Sequence, residues 1–300
     1  MKLALAEVPA PYLLEPRVMA QGAGGGWTPL VAAIQEAGLV DGPPSGDIAA
    51  ALSYLSELKP TPRRRIERVL EAKPTGRQPE RLLKPVGPDM KLLLTEGRVA
   101  LSRSNDQKPA KSPVGFSMFE SAFADPGATV RLPDAGAHYD AEAVLVAIMG
   151  RGFHRGTEAS AARSVVGFTL MCQITHRDLF DEEAVTRNNL MAKNCDRLSP
   201  LGPAIWIAQP SALDPATVVT MSINGQERQR FAVADLAHSV PRAVRAWGRC
   251  VLDPGDAVGL GAAICWAKPD NAVDSPIPVK SGDAIEVACA PIGTLSARIG

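Results

Sequence analysis

The 300-residue sequence predicts an α+β fold that is mostly β, with a small N-terminal domain ahead of a larger β-rich one. Three observations carry this reading. Residues 143–149 (AVLVAIM) are an uninterrupted apolar run of strand length, which suits a strand buried on both faces. Residues 218–223 (VVTMSI) run into Asn224-Gly225, a pair that accepts the positive φ angles of a tight hairpin turn, and residues 227–233 can return as the partner strand. Further short strands are expected around 256–262 and 283–290, with few helices between them.

The elements follow in chain order. Residues 1–84 read as irregular: a short apolar start, a turn at 22–26 (GAGGG), and helical stretches near 29–37 and 47–58. The glycine run lacks the GxGxxG order and no Gly-Lys-Ser/Thr follows it, so it reads as a flexible turn and not as a phosphate cradle. Arg63-Arg64-Arg65 opens a segment in which Ile66, Val69 and Leu70 share one helical face while the charges take the other. Residues 91–94 read as a short strand. The polar, proline-punctuated stretch 102–113 is expected to be a boundary or lid, dividing residues 1–112 from residues 113–300. Ser239-Val240-Pro241 starts a helix running to Cys250, with Val240, Val244 and Trp247 on one stripe.

Composition bounds the partners. Lysine plus arginine equals aspartate plus glutamate, 32 each, so no basic surface suggests nucleic acid or an anionic membrane. No apolar run approaches the roughly 18 residues that span a bilayer. The start, MKLALAEVPAPYLLEP, is broken by Glu7 and prolines too early for a secretory apolar region, and the chain reads as cytoplasmic. Cys172, Cys195, Cys250, Cys265 and Cys289 are odd in number and lack a CxxC pair, which favours buried free thiols over a zinc site or a disulfide framework.

Chemistry begins with Asp140 and Glu142. Two apart at the mouth of the apolar strand, they project from one face. Paired carboxylates on one face suit a hard divalent cation that takes oxygen ligands, or else a solvated strand end. Five segments then fall in one order: Tyr139-Asp140-Ala141-Glu142; Gly167-Phe168-Thr169 through Arg177-Asp178-Leu179; residues 193–203 (KNCDRLSPLGP); Leu252-Asp253-Pro254-Gly255-Asp256; and residues 281–295 (SGDAIEVACAPIGTL). Together they resemble the fumarylacetoacetate hydrolase superfamily over about residues 113–300, where that family's pattern runs YEAELAVVIG, GYTVANDVSARDL, GKSFDTFCPLGP, LEPGDVILTGTP and PGDVVEVEIEGIGTL.

The resemblance implies a rolled mixed β-sheet domain and a usual homodimer. It also implies a Mg²⁺ or Mn²⁺ site at Asp140 and Glu142, with Gln173 standing where the family has a third, aspartate ligand and Cys172 where it has asparagine. Lys193 matches the lysine that approaches the substrate oxygens, and an ammonium there would stabilise an enolate. Asp196 matches beside it. Arg177 and Asp178 match as well, either as an ion pair pinning the loop or with a direct role on substrate. The family's carboxylate-binding TGT becomes Leu260-Gly261-Ala262, which keeps the glycine and loses both hydroxyls. Its FFKPPSA segment becomes Phe116 to Ala122 with Met118 in place of lysine, and its water-activating GxNYxxH motif has no counterpart in residues 92–101. A base from these stretches would have to be Glu120 or Glu96.

His138 precedes the metal strand and His176 follows Gln173 by three, so either could act near neutral pH or serve as an ordinary hydrogen-bonded residue. No GxSxG elbow or reactive Cys/His pair offers a rival nucleophile. The resemblance thus implies an enzyme acting on a 2-oxo or 1,3-dicarbonyl acid through a metal- or lysine-stabilised enolate, by C–C cleavage, decarboxylation, dehydration or tautomerisation. Loss of the histidine motif favours a lyase, decarboxylase or tautomerase over a hydrolase. The competing expectation is a metal-free divergent member serving as a binding protein or non-catalytic subunit. The altered ligand and hydroxyls favour it, and retention of Asp140, Glu142, Lys193 and Asp196 opposes it.

Overall fold

The computed structural model describes residues 1–10, 13–73, 79–96, 112–185, 190–260 and 277–300. The N-terminal part runs β1 (Lys2–Pro9), β2 (Leu14–Gln21), β3 (Trp27–Pro29), α1 (Leu30–Glu36), α2 (Ile48–Glu57), α3 (Pro60–Glu71), β4 (Arg81–Leu83) and β5 (Leu92–Glu96). After it come β6 (Val114–Met118), β7 (Phe123–Ala124), β8 (Thr129–Val130), β9 (Tyr139–Met149), α4 (Glu158–Ser164), β10 (Val165–His176), α5 (Arg177–Ala184), α6 (Leu190–Lys193) and β11 (Ser199–Ile207). The chain closes with β12 (Val218–Ile223), β13 (Gln226–Ala232), α7 (Val240–Trp247), β14 (Ala257–Leu260), β15 (Ala284–Cys289) and β16 (Gly293–Ile299). Among the described residues no helix is long and apolar enough to cross a membrane.

Strands dominate, as the sequence predicts. The larger sheet has the order β3-β2-β1-β11-β10-β9-β14-β5-β6, with β4 added to β1 and β7 to β11, and the smaller has the order β13-β12-β15-β16-β8. Inside the larger sheet, between β10 and β14, lies β9, buried along its whole length. Its alternation feeds two cores. Ala143, Leu145 and Ala147 join Phe168, Leu170 and Cys172 of β10 against Val219, Met221, Val287 and Leu295 of the smaller sheet. Val144, Val146 and Ile148 face the other way, onto Leu30, Ile34, Ile48, Leu52, Leu55, Ile66 and Leu70 of the three N-terminal helices. At about 1.5–3 kcal/mol for each large aliphatic side chain fully buried, both faces contribute to holding β9 in place. An apolar run without polar alternation is the sequence consequence.

The predicted hairpin forms between β12 and β13, and Asn224 and Gly225 both take positive φ, 52° and 75°. Helix α7 starts as expected, with Ser239 Oγ accepting from the Arg242 amide at 3.4 Å, but it stops at Trp247 and not at Cys250. Gly248 ends it, where a Cβ would stand 2.2 Å from the Phe153 ring. Of the expected strand at 256–262, β14 covers the part up to Leu260, and the rest lies outside the described residues.

The N-terminal region departs from the expectation of irregularity. β1 and β2 pair antiparallel from Lys2↔Gln21 to Pro9↔Leu14, and β1 continues onto β11 through Lys2↔Trp206. β1 (KLALAEVP), with Ala4, Ala6 and Pro9, and β2, with its internal Pro16, carry little β-propensity of their own, and cross-strand burial supplies what propensity does not. The division expected at 112/113 therefore falls inside one sheet: β5 pairs parallel with β14 and antiparallel with β6, across that boundary.

Candidate active site

The site forms where β9 begins and β10 ends. Register pairs Glu142 with Gln173 and Asp140 with Thr175, so the period of two puts all four on one face, continuous with the face that α1–α3 cover further along. β10 then runs into α5, which carries Arg177 and Phe180, and α6 delivers Lys193 at its last residue. Asn194 fastens the end of α6 to β6: its Oδ1 accepts from the Phe119 amide at 2.6 Å and its Nδ2 donates to the Ser117 carbonyl at 3.2 Å.

Lys193 is 4 % exposed. Its Nζ donates to Thr175 Oγ1 at 2.7 Å, Gln173 Oε1 at 3.2 Å and Glu142 Oε2 at 3.4 Å, matching the three protons of an ammonium. The rings of Phe116 and Phe180 flank it, with centroids 5.5 and 5.8 Å from Nζ, within cation–π range. A surface lysine beside a turn is thereby excluded. Asp140 binds Arg177, whose guanidinium also lies 4.8 Å from the Phe180 ring. Burial raises the Asp140 pKa against the opposing pull of the Arg177 hydrogen bond, and the nearby Glu142 charge raises it further. For Arg177, burial works to lower the pKa, and the hydrogen bond and charge of Asp140 together with the charges of Glu142 and Asp181 outweigh it, leaving it raised. Cys172, on the opposite face of β10, is fully buried, and its thiol is pushed up to about 12 by burial and then by Glu142, so it is an inert core residue.

Glu142, Gln173 and Lys193 meet directly, and Asp140 and Arg177 adjoin them on the same face. Arg177 pairs with Asp140 and not with Asp178, whose carboxylate takes the His138 amide at 2.9 Å and its ring Nδ1 at 3.0 Å. His176 does not share that face. The segment holding Gln173 and His176 is strand and not loop, so the alternation of β10 turns His176 to the other face, opposite Tyr139. There its Nε2 meets Asp134 at 2.8 Å and its Nδ1 accepts from the Leu179 amide at 3.3 Å, capping α5. Glu120 forms an ion pair with Lys84. Asp196 is exposed, with no side-chain partner among the described residues. Gly261 lies outside the described residues, as does Cys265. Thr175 went unread in the sequence although it makes the shortest contact to Lys193. Treating 165–176 as a strand and stepping two residues from Gln173 would have found it.

Three oxygen-bearing side chains on one face, two carboxylates and an amide, suit a hard divalent cation. Asp140 Oδ1 supports the fit, since it is buried without a hydrogen-bond partner. The set differs from an all-acid one: among the described residues no three of His, Cys, Asp or Glu gather as a metal group.

The family described as Fumarylacetoacetate (FAA) hydrolase C-terminal matches residues 94–300. The chain belongs to this family. It is 29% identical over 163 residues to the oxaloacetate tautomerase YisK of Bacillus subtilis, a match covering 54% of this chain and 52% of that one. The chain therefore spans about half the length of that relative. The 5-carboxymethyl-2-hydroxymuconate delta-isomerase from Mycobacterium smegmatis superposes with a TM-score of 0.60 at 28% identity over 75% of this chain and 85% of that one. A fumarylacetoacetate hydrolase from Exiguobacterium antarcticum shares the fold over 100% of this chain and 99% of its own, with TM-score 0.76 at 20% identity.

Proposed function

We propose that the chain is an enzyme that enolises a 2-oxo or 1,3-dicarbonyl acid, and that it works as a tautomerase, lyase or decarboxylase. The observation that carries this is the buried Lys193 ammonium, held on three oxygens of the same face as Asp140 and Glu142. The relatives named for tautomerisation and isomerisation support it. Enolisation puts negative charge on the carbonyl oxygen, and a donor already fixed in a water-poor site stabilises that charge without reorganising. Thr175 and Gln173 hold the amine in place. Its contact with Glu142, at 3.4 Å the longest of the three, is the one a substrate oxygen would take over. Asp140, Glu142 and Gln173 would hold Mg²⁺ or Mn²⁺, which supplies Lewis acidity for the same oxygens.

The test is Lys193→Met and Lys193→Arg, assayed for enol–keto interconversion of 2-oxo acids, with a thermal melt on each. Loss of turnover in both is expected, and Lys193→Arg, which keeps the charge opposite Glu142, retains a cooperative melt. Parent-like activity in either variant overturns the reading. Because Lys193 is buried, Lys193→Met leaves Glu142 unpaired and should lower the melting temperature as well.

One observation favours the second reading, a metal-free binding protein or non-catalytic subunit. Both carboxylates are already matched by cations, Asp140 by Arg177 and Glu142 by Lys193. Calorimetry with Mn²⁺ separates the two: binding lost in Glu142→Ala supports the first, and no binding at millimolar metal, together with no turnover, supports the second.

A further inference from the structure

Away from the strand-borne site, a cleft of about 500 Å³ opens between two turns of the chain and the start of α7. Its walls are Pro210 and Leu213 ahead of β12, Val233 and Leu236 after β13, and Val240 and Pro241 in the first turn of α7. Backbone hydrogen bonds tie the first two walls together: the Val233 amide donates to the Thr217 carbonyl and the Ala234 amide to the Pro215 carbonyl, both at 2.9 Å. The cleft is thus held open by the fold itself, and its volume lies within the roughly 300–1,000 Å³ of small-molecule sites. None of its lining residues belongs to the Lys193 cluster.

His238 lines this cleft and is 7 % exposed, yet among the described residues neither of its ring nitrogens makes a hydrogen bond. Nδ1 is sealed in protein, which leaves Nε2 as the ring nitrogen on the cleft side. Burial first, and then the charge of Arg242, hold the imidazole below its ordinary pKa of 6.5, so at pH 7 it is neutral and carries one N–H. Placing that proton on Nε2 avoids sealing in an N–H with no acceptor, and orphaned buried N–H groups are the rarer kind. The cleft is therefore offered a donor. Its surroundings favour negative charge: Arg242 acts on the ring, and among the described residues no aspartate or glutamate lines the cleft. The two acids nearest in sequence are turned to backbone, Asp214 to the Ala216 amide at 2.8 Å and Asp235 to the Ala232 amide at 2.7 Å.

We infer that this cleft is a second binding site, for a small monocarboxylate with an apolar body. The His238 Nε2–H donates to a carboxylate oxygen, and the carbon body packs between Leu213, Val233 and Leu236. A second carboxylate on the ligand would lie unpaired against that apolar lining, which costs binding. The site is independent of the enolising reading and stands or falls separately from it.

The test titrates the ¹⁵N-labelled chain with benzoate at pH 7 and follows the ring nitrogens of its four histidines by long-range proton–nitrogen correlation, with His238 assigned by its loss in His238→Phe. A saturable shift of the His238 signals is expected, and it persists in Lys193→Arg, which alters the other site. Benzamide, of the same shape but uncharged, should bind at His238 about tenfold more weakly, the scale of one charge-assisted hydrogen bond. His238→Phe, followed at the Ala234 and Ser239 amides, should weaken benzoate by a similar factor. Ala234→Trp, substituted from the exposed rim, should abolish the His238 shift, and a cooperative melt confirms that each variant folds. No saturable His238 shift up to about 10 mM benzoate, benzamide bound as tightly as benzoate, a shift lost in Lys193→Arg, or one that survives Ala234→Trp overturns the inference.

Discussion

Lys193 places its three donors on Thr175, Gln173 and Glu142, and the shortest of these contacts, at 2.7 Å, is to a hydroxyl. Thr175 is fully buried and holds the ammonium from the strand side. Thr175→Val keeps the shape and removes the acceptor. A hydrogen bond to a charged group is worth about 1.5–3 kcal/mol, so kcat should fall about tenfold or more with KM little changed, and Thr175→Ser should restore most of it. Equal activity in Val and Ser variants would assign the residue to packing. Gln173→Asp tests the metal reading at the same scale, since a third carboxylate should tighten Mn²⁺ binding measured by calorimetry, and an unchanged affinity would remove Gln173 from the ligand set. Asp140 has a pH signature. Its folded pKa lies above the ordinary 3.8, chiefly because it is buried, so the folded chain binds that proton more tightly than the unfolded chain does. Its contribution to stability is greatest at acid pH and declines as pH rises from about 3.8 through the raised folded value. Urea unfolding should show Asp140→Asn gaining relative to the parent across that window, and a difference that is flat with pH would contradict it.

At the scale of the element, the strands decide which residues meet. β9 and β10 stay in register from His176↔Tyr139 to Gly167↔Ile148, so one slipped residue would turn Asp140 and Glu142 into the apolar core. Gly167 keeps β10 close to β11: a Cβ there would stand 2.6 Å from the Trp206 carbonyl oxygen and 2.7 Å from an Ile205 methyl. Gly167→Ala should therefore cost stability, about 1–3 kcal/mol for overpacking, and lower activity with it. The hairpin gives a contrast. Gly225 has open space around it but a φ of +75°, so Gly225→Ala is strained by its backbone alone and should cost about 1 kcal/mol without touching the site. Chemical denaturation of both variants checks this, and loss of activity in Gly225→Ala alone would show a coupling that the hairpin's packing does not contain.

For the whole molecule, the N-terminal residues complete the fold that carries the site. Leu30, Ile34, Leu52 and Leu55 cover the face of β9 that carries the carboxylates at its other end, and β1 adds directly to β11. A fragment of residues 113–300 should accordingly lose cooperative melting and aggregate, and a well-folded monodisperse fragment would show that the helical layer is dispensable. The family resemblance predicts a homodimer, which light scattering at micromolar protein checks directly; a monomer would refute it.

The resemblance in residues 139–142, 167–179, 193–203, 252–256 and 281–295 indicates the family, and local signals place α1 to α3, the β12–β13 hairpin and the start of α7 close to where they form. Those features rest on short-range physics: apolar periodicity, turn residues and caps. β1 and β2 were missed because their alanines and Pro16 carry weak local preference and their pairing is with strands distant in sequence. Asp140, Glu142, Gln173 and Lys193 were legible as motif positions. Tertiary structure alone decided that Arg177 answers Asp140, that Thr175 meets Lys193 while His176 takes the other face, and that Met118 and Gln173 are partners. The reason is physical: sequence records which groups a strand can offer to each face, and only the packing of strand on strand selects the groups from elsewhere in the chain that share a face closely enough to exchange charge and hydrogen bonds.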